Sequence, residues 1–387
     1  MCIEAKRSTL FSRASFLAAA GAAAAPIFAP ADALASAGHA EALPPIPKNL
    51  ASGNARAAQI AHASPFIRAR YTQVMELVHS MGDATLRTDV QKLIDDPAPR
   101  YARRYPTPES RTALRDSLAR AGFVKADSPA SGIFPPNTAK PGIVQPFWSA
   151  PGSDLNSHHS YPGGLLMHEL FNATLAANME HTYDALYFDH GHRVNRDVVI
   201  AAALYHDIMK TVVFQFNADG TLTEELSIGD TGGHHCLSGA EAIVRGHDAR
   251  FVTVLLSAHA APSLGDEQKV ATWCRAAAMI AGVDPVEYGL VRKTADGYAL
   301  AALPPIETFV NNLSDHDFYL TIQAVRGVVP HIHAMNPSLW YRHEVLSNHS
   351  AVALYQTLAT QGESALRKQL ASMPRPRFPS IPQGWLT

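Results

Sequence analysis

The chain has 387 residues, 47% of them hydrophobic and 17% charged, and a formal charge of −2 with histidine neutral. That length and apolar content suit two domains or one large one with a sizeable core. The near-neutral balance argues against tight, non-specific binding of long nucleic acid, which needs a basic excess, and three cysteines are too few for a disulfide framework. Cys2 falls in the leader described next, and Cys236 and Cys274 read as two small buried thiols.

The N-terminus reads as an export signal over residues 1–37. Lys6, Arg7 and Arg13 form a basic region, and Phe16 to Ala29 is apolar and rich in alanine. Ala33-Leu-Ala35 and Ala35-Ser-Ala37 offer small-residue cleavage sites. The apolar run is too short for a membrane span of about 20 residues. Ser12-Arg-Ala-Ser-Phe-Leu17 resembles the twin-arginine export motif but carries Ala14 where the second arginine belongs. A periplasmic or secreted protein is expected.

Residues 38–52 read as a linker, with Leu43-Pro-Pro-Ile-Pro-Lys48 inside it. Helical periodicity predicts a helix over Ala55–Ser80, then Thr85–Ile94 and Pro108–Ala121. Asp127–Pro146 is rich in Pro, Gly, Ser and Asn and reads as a loop. Together, residues 38–156 form a linker and an N-terminal helical layer. Further helices are expected at Gly163–Asn178, Asp197–Met209, Cys236–Arg245, Phe251–Ala258 and Val270–Val283. Thr211–Phe216 and Thr221–Thr223 around Asn-Ala-Asp-Gly read as a β-hairpin, and Gly289–Lys293 with Tyr298–Ala302 as a second. Thr308–Gly327 and Trp340–Leu358 read as helices before a Pro-rich tail starting near Met373. The fold class is mostly α with one or two small hairpins. The chemistry belongs to a core over 157–300, and residues 301–387 are C-terminal helices and tail.

His206 and Asp207 close the apolar run Asp197-Val-Val-Ile-Ala-Ala-Ala-Leu-Tyr-His-Asp207. A charge buried there is costly unless it is paired or bound to a cation. The 19 histidines supply further candidates. Adjacent helical residues point about 100° apart, so this pair can approach one cation from two directions. Mixed imidazole and carboxylate donors suit Mn, Fe, Co or Zn better than Ca.

With His168 in His158-His-Ser-Tyr-Pro-Gly-Gly-Leu-Leu-Met-His168, with His206-Asp207 and with a distant Asp284, the chain resembles the HD-domain metal-dependent phosphohydrolases. It is most similar to their bacterial 3′-5′ exoribonuclease branch, over roughly residues 157–290. The resemblance implies an HD-type helical bundle and a metal set of His168, His206, Asp207 and Asp284. Asp207 would bridge to a second ion held by His235 and His259. His234 is an alternative to His235, and Asp284 can also be read as a turn residue before Pro285. Lys210 follows the motif and either steadies a phosphate or pairs with a carboxylate. Met209 stands where the family has glycine. His159, with His158, could face the substrate, and Glu169 and Glu241 could orient ligand histidines. Arg100, Arg103 and Arg104, with Tyr101 and Tyr105, either reach an anion or form a solvated loop.

The function expected is an exported phosphohydrolase that cleaves a nucleotide or short oligonucleotide ester with metal-activated water. Asp207 and Lys210 would be its catalytic residues, and two divalent transition metals its cofactors. The alternatives are a di-iron oxygenase on the same ligands and a nucleotide-binding module without turnover. The sequence leaves the oligomeric state open.

Overall fold

The computed structural model describes residues 42–134, 144–188, 193–263 and 265–373. The export leader and the Pro-rich tail beyond Met373 lie outside the described residues. The first helical segment is two helices, α1 (Ser52–Ala63) and α2 (Pro65–His79). Proline cannot continue a helix but suits its first turn, so Ser64-Pro65 ends one helix and starts the next. The Ser64 hydroxyl accepts from Ile67 N at 3.1 Å and donates to Ser347 O at 2.7 Å. α3 (Ala84–Asp95) is capped by Asp83, and α4 (Pro108–Arg120) by Thr107 in a capping box.

Six helices form the centre: α5 (Gly164–Tyr187), α6 (Arg196–Tyr205), the short α7 (Lys210–Val213), α8 (Gly233–Arg245), α9 (Ala249–Leu256) and α10 (Glu267–Ala281). Ala201, Ala202 and Ala203 are fully buried on α6. Their small side chains let α3, α5 and α9 approach it closely. One core runs from Leu43 to Leu300, so the N-terminal helices share it with the central ones. Cys236 and Cys274 are buried free thiols.

The β content is two small antiparallel pairs. β1 (Ser227–Ile228) pairs with β2 (Thr231–Gly232), and β3 (Val291–Thr294) with β4 (Gly297–Leu300). The protein is therefore mostly α-helical, with small hairpins. The hairpin expected over Thr211–Thr223 forms only at its tip: Thr211–Val213 continue as α7, while Phe216 bridges Leu222, Asn217 N donates to Thr221 O at 2.8 Å and Thr223 N to Gln215 O at 3.0 Å. These β-branched residues read as a strand, but Lys210 and its neighbours stay in helical turns that follow directly from α6.

The run expected as one helix over Thr308–Gly327 is broken. α11 (Ile306–Ser314) stops, a 3-10 turn covers Asp315–Asp317, and α12 (Phe318–Met335) follows. α13 (Leu339–Asn348) and α14 (Ala351–Ser372) complete a second core with α12, built on Val325, Val328, Ile332, Leu346 and Leu354. α13 packs on α1 and α2. No helix among the described residues is long and apolar enough to cross a membrane.

The turn into α5 depends on glycine. Gly163 has φ +86°, in the left-handed region. At Gly164 an added Cβ would lie 1.7 Å from the backbone oxygen of His159. Gly164→Ala is expected to destabilise the protein by about 2 kcal/mol or more, because backbone rather than a flexible side chain must move. Urea unfolding should give a lower midpoint at unchanged slope; an unaltered midpoint would mean that the turn yields freely.

Candidate metal centre

The end of α6 sets the geometry. His206 and Asp207 leave the helix in a tight turn in which Lys210 N donates to Asp207 O at 2.8 Å. Asp207 is fully buried. Its Oδ2 lies 3.0 Å from His168 Nε2 and 3.4 Å from His206 Nε2, with Lys210 Nζ closer still. Its Oδ1 lies 3.0 Å from His234 Nε2 and 3.7 Å from His259 Nε2. Each carboxylate oxygen thus faces its own group of imidazoles.

Asp315 is the second central carboxylate. Its Oδ1 is 3.1 Å from His168 Nε2 and 3.3 Å from His206 Nε2, and its Oδ2 is 3.2 Å from His259 Nε2. Asn172, one turn after His168 on α5, donates to Asp315 Oδ1 at 2.9 Å. The 3-10 turn between α11 and α12 is what aims Asp315 inward. Asp284, expected in this role, lies elsewhere. It is exposed after α10, where its Oδ1 accepts from Val286 N at 2.8 Å and Glu287 N at 2.9 Å. Gly282 ends α10 in the left-handed conformation, and Asp284 serves the turn that follows.

Other acceptors fix the histidine rings. His206 Nδ1 donates to Ala203 O at 2.7 Å and lies 3.2 Å from Glu169 Oε2, which leaves Nε2 for the centre. Glu225 takes His234 Nδ1 and also accepts from His234 N at 2.7 Å, so His234 Nε2 is turned toward Asp207. His235 Nδ1 meets Thr231 Oγ1 at 2.5 Å, and its ring stacks on His259 at 3.4 Å between centroids. Both His234 and His235 therefore belong to the cluster with Asp207 and His259. His259 is 22% exposed and marks the open side.

His158 and His159 sit beside His168, with ring centroids 4.7 and 5.5 Å from it. Their Nδ1 atoms are 3.2 Å apart, and His159 has φ +50°, an unusual conformation for a residue with a side chain. Lys210 Nζ donates to Gly152 O at 2.6 Å while flanking Asp207, which ties the 150–160 loop to the centre. Glu241 does not orient a ligand: it accepts from Arg100 N at 2.6 Å and pairs with Arg245 at 2.7 Å. Tyr101 and Tyr105 spend their hydroxyls on the backbone oxygens of Ile133 and Ile280. These contacts are structural.

The electrostatics follow from burial against pairing. Burial works to raise Asp207, but His206, Lys210 and His234 outweigh it and hold the carboxyl well below its ordinary range. Asp315 is held down likewise by His259 and His206. Burial would lower His206, His168 and His234, yet the carboxylates push all three upward. Burial keeps His235 and His259 neutral, with His259 driven down to about 3.

These clusters can bind metal ions. Neither Asp207 oxygen receives a well-formed hydrogen bond, and His206 Nε2 and His234 Nε2 likewise have no hydrogen-bond partner among the described residues. Buried polar atoms left in this state are costly, and a divalent cation would satisfy all of them at once. The donor set fits such an ion.

A stretch of 89 residues, 22% of the chain, is 42% identical to the dihydroneopterin 2′,3′-cyclic phosphate phosphodiesterase of Methanocaldococcus jannaschii. The match spans 34% of that protein, about a third of its length. No family model matches the chain, and no solved structure does. The partial likeness and the His/Asp clusters support a phosphohydrolase family; they do not single out the exoribonuclease branch.

Asp315→Ala should purify with less than about half the metal of the wild type, because it removes a carboxylate facing three histidines. Asp284→Ala should retain it all. Elemental analysis of both variants decides, and the reverse order would return Asp284 to the centre. A second expectation concerns pH. Because His168, His206 and His234 are raised, they hold protons that a cation must displace. Metal affinity should therefore rise with pH through the neutral range, with net proton release. Titration calorimetry in two buffers of different ionisation enthalpy measures that release; proton uptake on binding would contradict the assignment.

Proposed function

We propose that this chain is a metal-dependent phosphohydrolase of the phosphodiesterase type. It would act on a small phosphorylated compound at two divalent cations shared by Asp207. The observation that carries this reading is the position of Asp207, whose two oxygens face separate imidazole sets, with Asp315 spanning His168, His206 and His259. In this reading His168, His206 and Asp315 hold one ion, and His234, His235 and His259 hold the other. Such ions supply Lewis acidity toward a phosphoryl oxygen and lower the pKa of water toward neutrality.

The chain's own groups do the rest. Ala203 O and Glu225 fix the tautomers of His206 and His234. Lys210 pairs with Asp207 and donates to Gly152 O, so in this reading it holds the shared carboxylate and the 150–160 loop in place. His159 borders the substrate side of the same reading. The partial likeness to a cyclic phosphate phosphodiesterase supports an ester of that kind as substrate. The reading includes export to the periplasm or beyond, supported by the basic and apolar leader and its small-residue cleavage sites.

Protein loaded anaerobically with Mn, Fe, Co or Zn should hydrolyse 2′,3′-cyclic phosphate esters. Asp207→Ala should lose at least about a hundredfold in kcat/KM, as expected when a shared metal ligand and its orienting network are removed. Consumption of O2 without phosphoester cleavage would replace this reading with an oxidative one.

A further inference from the structure

Three rings at the metal centre have their second nitrogen engaged. Ala203 O holds His206 Nδ1, Glu225 holds His234 Nδ1 and Thr231 Oγ1 holds His235 Nδ1. His168 differs. Its Nε2 faces Asp207 and Asp315 at 3.0 and 3.1 Å, while its Nδ1 is buried and has no hydrogen-bond partner among the described residues. The second nitrogen of a ligand imidazole ordinarily meets an acceptor that fixes the ring.

Two more imidazoles stand against His168. The ring centroids of His158 and His159 are 4.7 and 5.5 Å from its own, and one nitrogen of each of the three rings lies within 4.8 Å of the others. All three residues are more than nine-tenths buried. His158 Nδ1 and His159 Nδ1 are 3.2 Å apart. Two imidazole donors at about 2.0–2.1 Å from one tetrahedral ion are separated by about 3.3 Å, so the pair already has the spacing of two ligands on one metal. His159 keeps a left-handed backbone at φ +50°, which costs energy in a residue with a side chain. Two glycines hold it there: Gly152 N donates to its carbonyl at 2.9 Å, and Gly164 leaves room for the same oxygen.

We propose that His158, His159 and His168 form a third metal site, for a divalent ion of the zinc class, with His168 shared between it and the centre. His168 coordinates the centre through Nε2 and the third ion through Nδ1, and its remaining ring proton leaves to solvent. The imidazolate so formed places a negative charge between two cations. Three nitrogen donors without a carboxylate suit Zn, Co or Cu rather than Mn. Lys210 acts on His158 as a nearby positive charge, so this ion is held less tightly than the two that Asp207 shares. The proposal rests on the two-ion centre above, and not on which ester that centre cleaves.

The test titrates the metal-free, full-length protein anaerobically with Co(II) and counts bound ions by elemental analysis after equilibrium dialysis. The wild type should take up three equivalents. The last of them should bring the intense visible absorption of four-coordinate Co(II), which six-coordinate ions lack. His158→Gln and His159→Asn should each stop at two equivalents and lose that absorption; asparagine is chosen because it tolerates a left-handed backbone. Two retained equivalents in either variant show that the fold and the central pair are intact, and the wild-type count decides alone should a variant not fold. A wild type that saturates at two overturns the third site and leaves the central pair standing. A third equivalent that survives both substitutions overturns it as well, since that ion is then bound elsewhere. Fewer than two equivalents in the wild type would overturn the shared centre together with the third site.

Discussion

Two carboxylates buried among imidazoles are the constraint on which the rest of the structure depends. Asp207 and Asp315 are withdrawn from water, where an isolated charge costs far more than folding can spare. The neighbouring histidines and Lys210 offset that cost, and the carboxylates in turn hold several rings in their charged form. Such a cluster is tolerable as an array of protons and ion pairs. It is better satisfied by divalent cations, which engage many acceptors at once.

The architecture serves that cluster. Alanines on α6 let neighbouring helices close in, so His168 on α5, His234 and His235 on α8, and His259 after α9 reach one point. The glycine turn before α5 presses the 150–160 loop against the helix start, where His158 and His159 lie beside His168. Arg342, from α13, reinforces the same loop. It is almost fully buried and donates to Leu155 O and Ser160 O, each at 2.8 Å. The C-terminal helices therefore support the site as well as packing against one another. The 3-10 turn between α11 and α12 aims Asp315 at the centre.

Much of this was legible in the sequence, for identifiable reasons. His206-Asp207 stands out because charge at the end of an apolar, alanine-rich run demands a partner. His168, His235 and His259 come from the family resemblance, and the structure brings all three to Asp207. Asp315 was missed although the same burial argument applied: Asp315-His-Asp317 interrupts the run Thr308–Gly327, which reads as unbroken helix if only apolar spacing is followed. The family pattern ends on a distant aspartate and so points to Asp284, but the left-handed Gly282 turns the chain there toward solvent. Glu225 carried no signal, since its role depends on a short β pair that sets it against His234. The expected hairpin over Thr211–Thr223 is shortened to its tip because the β-branched residues Thr211–Val213 also tolerate one helical turn when the preceding helix imposes it.

The most direct measurement is the electron paramagnetic resonance spectrum of the protein saturated with Mn(II). A carboxylate shared by two ions brings them close enough for exchange coupling, so the account expects a coupled two-manganese spectrum that reverts to isolated Mn(II) in Asp207→Ala. Only isolated Mn(II) in the wild type at saturation, or a coupled signal that survives loss of Asp207, would contradict it.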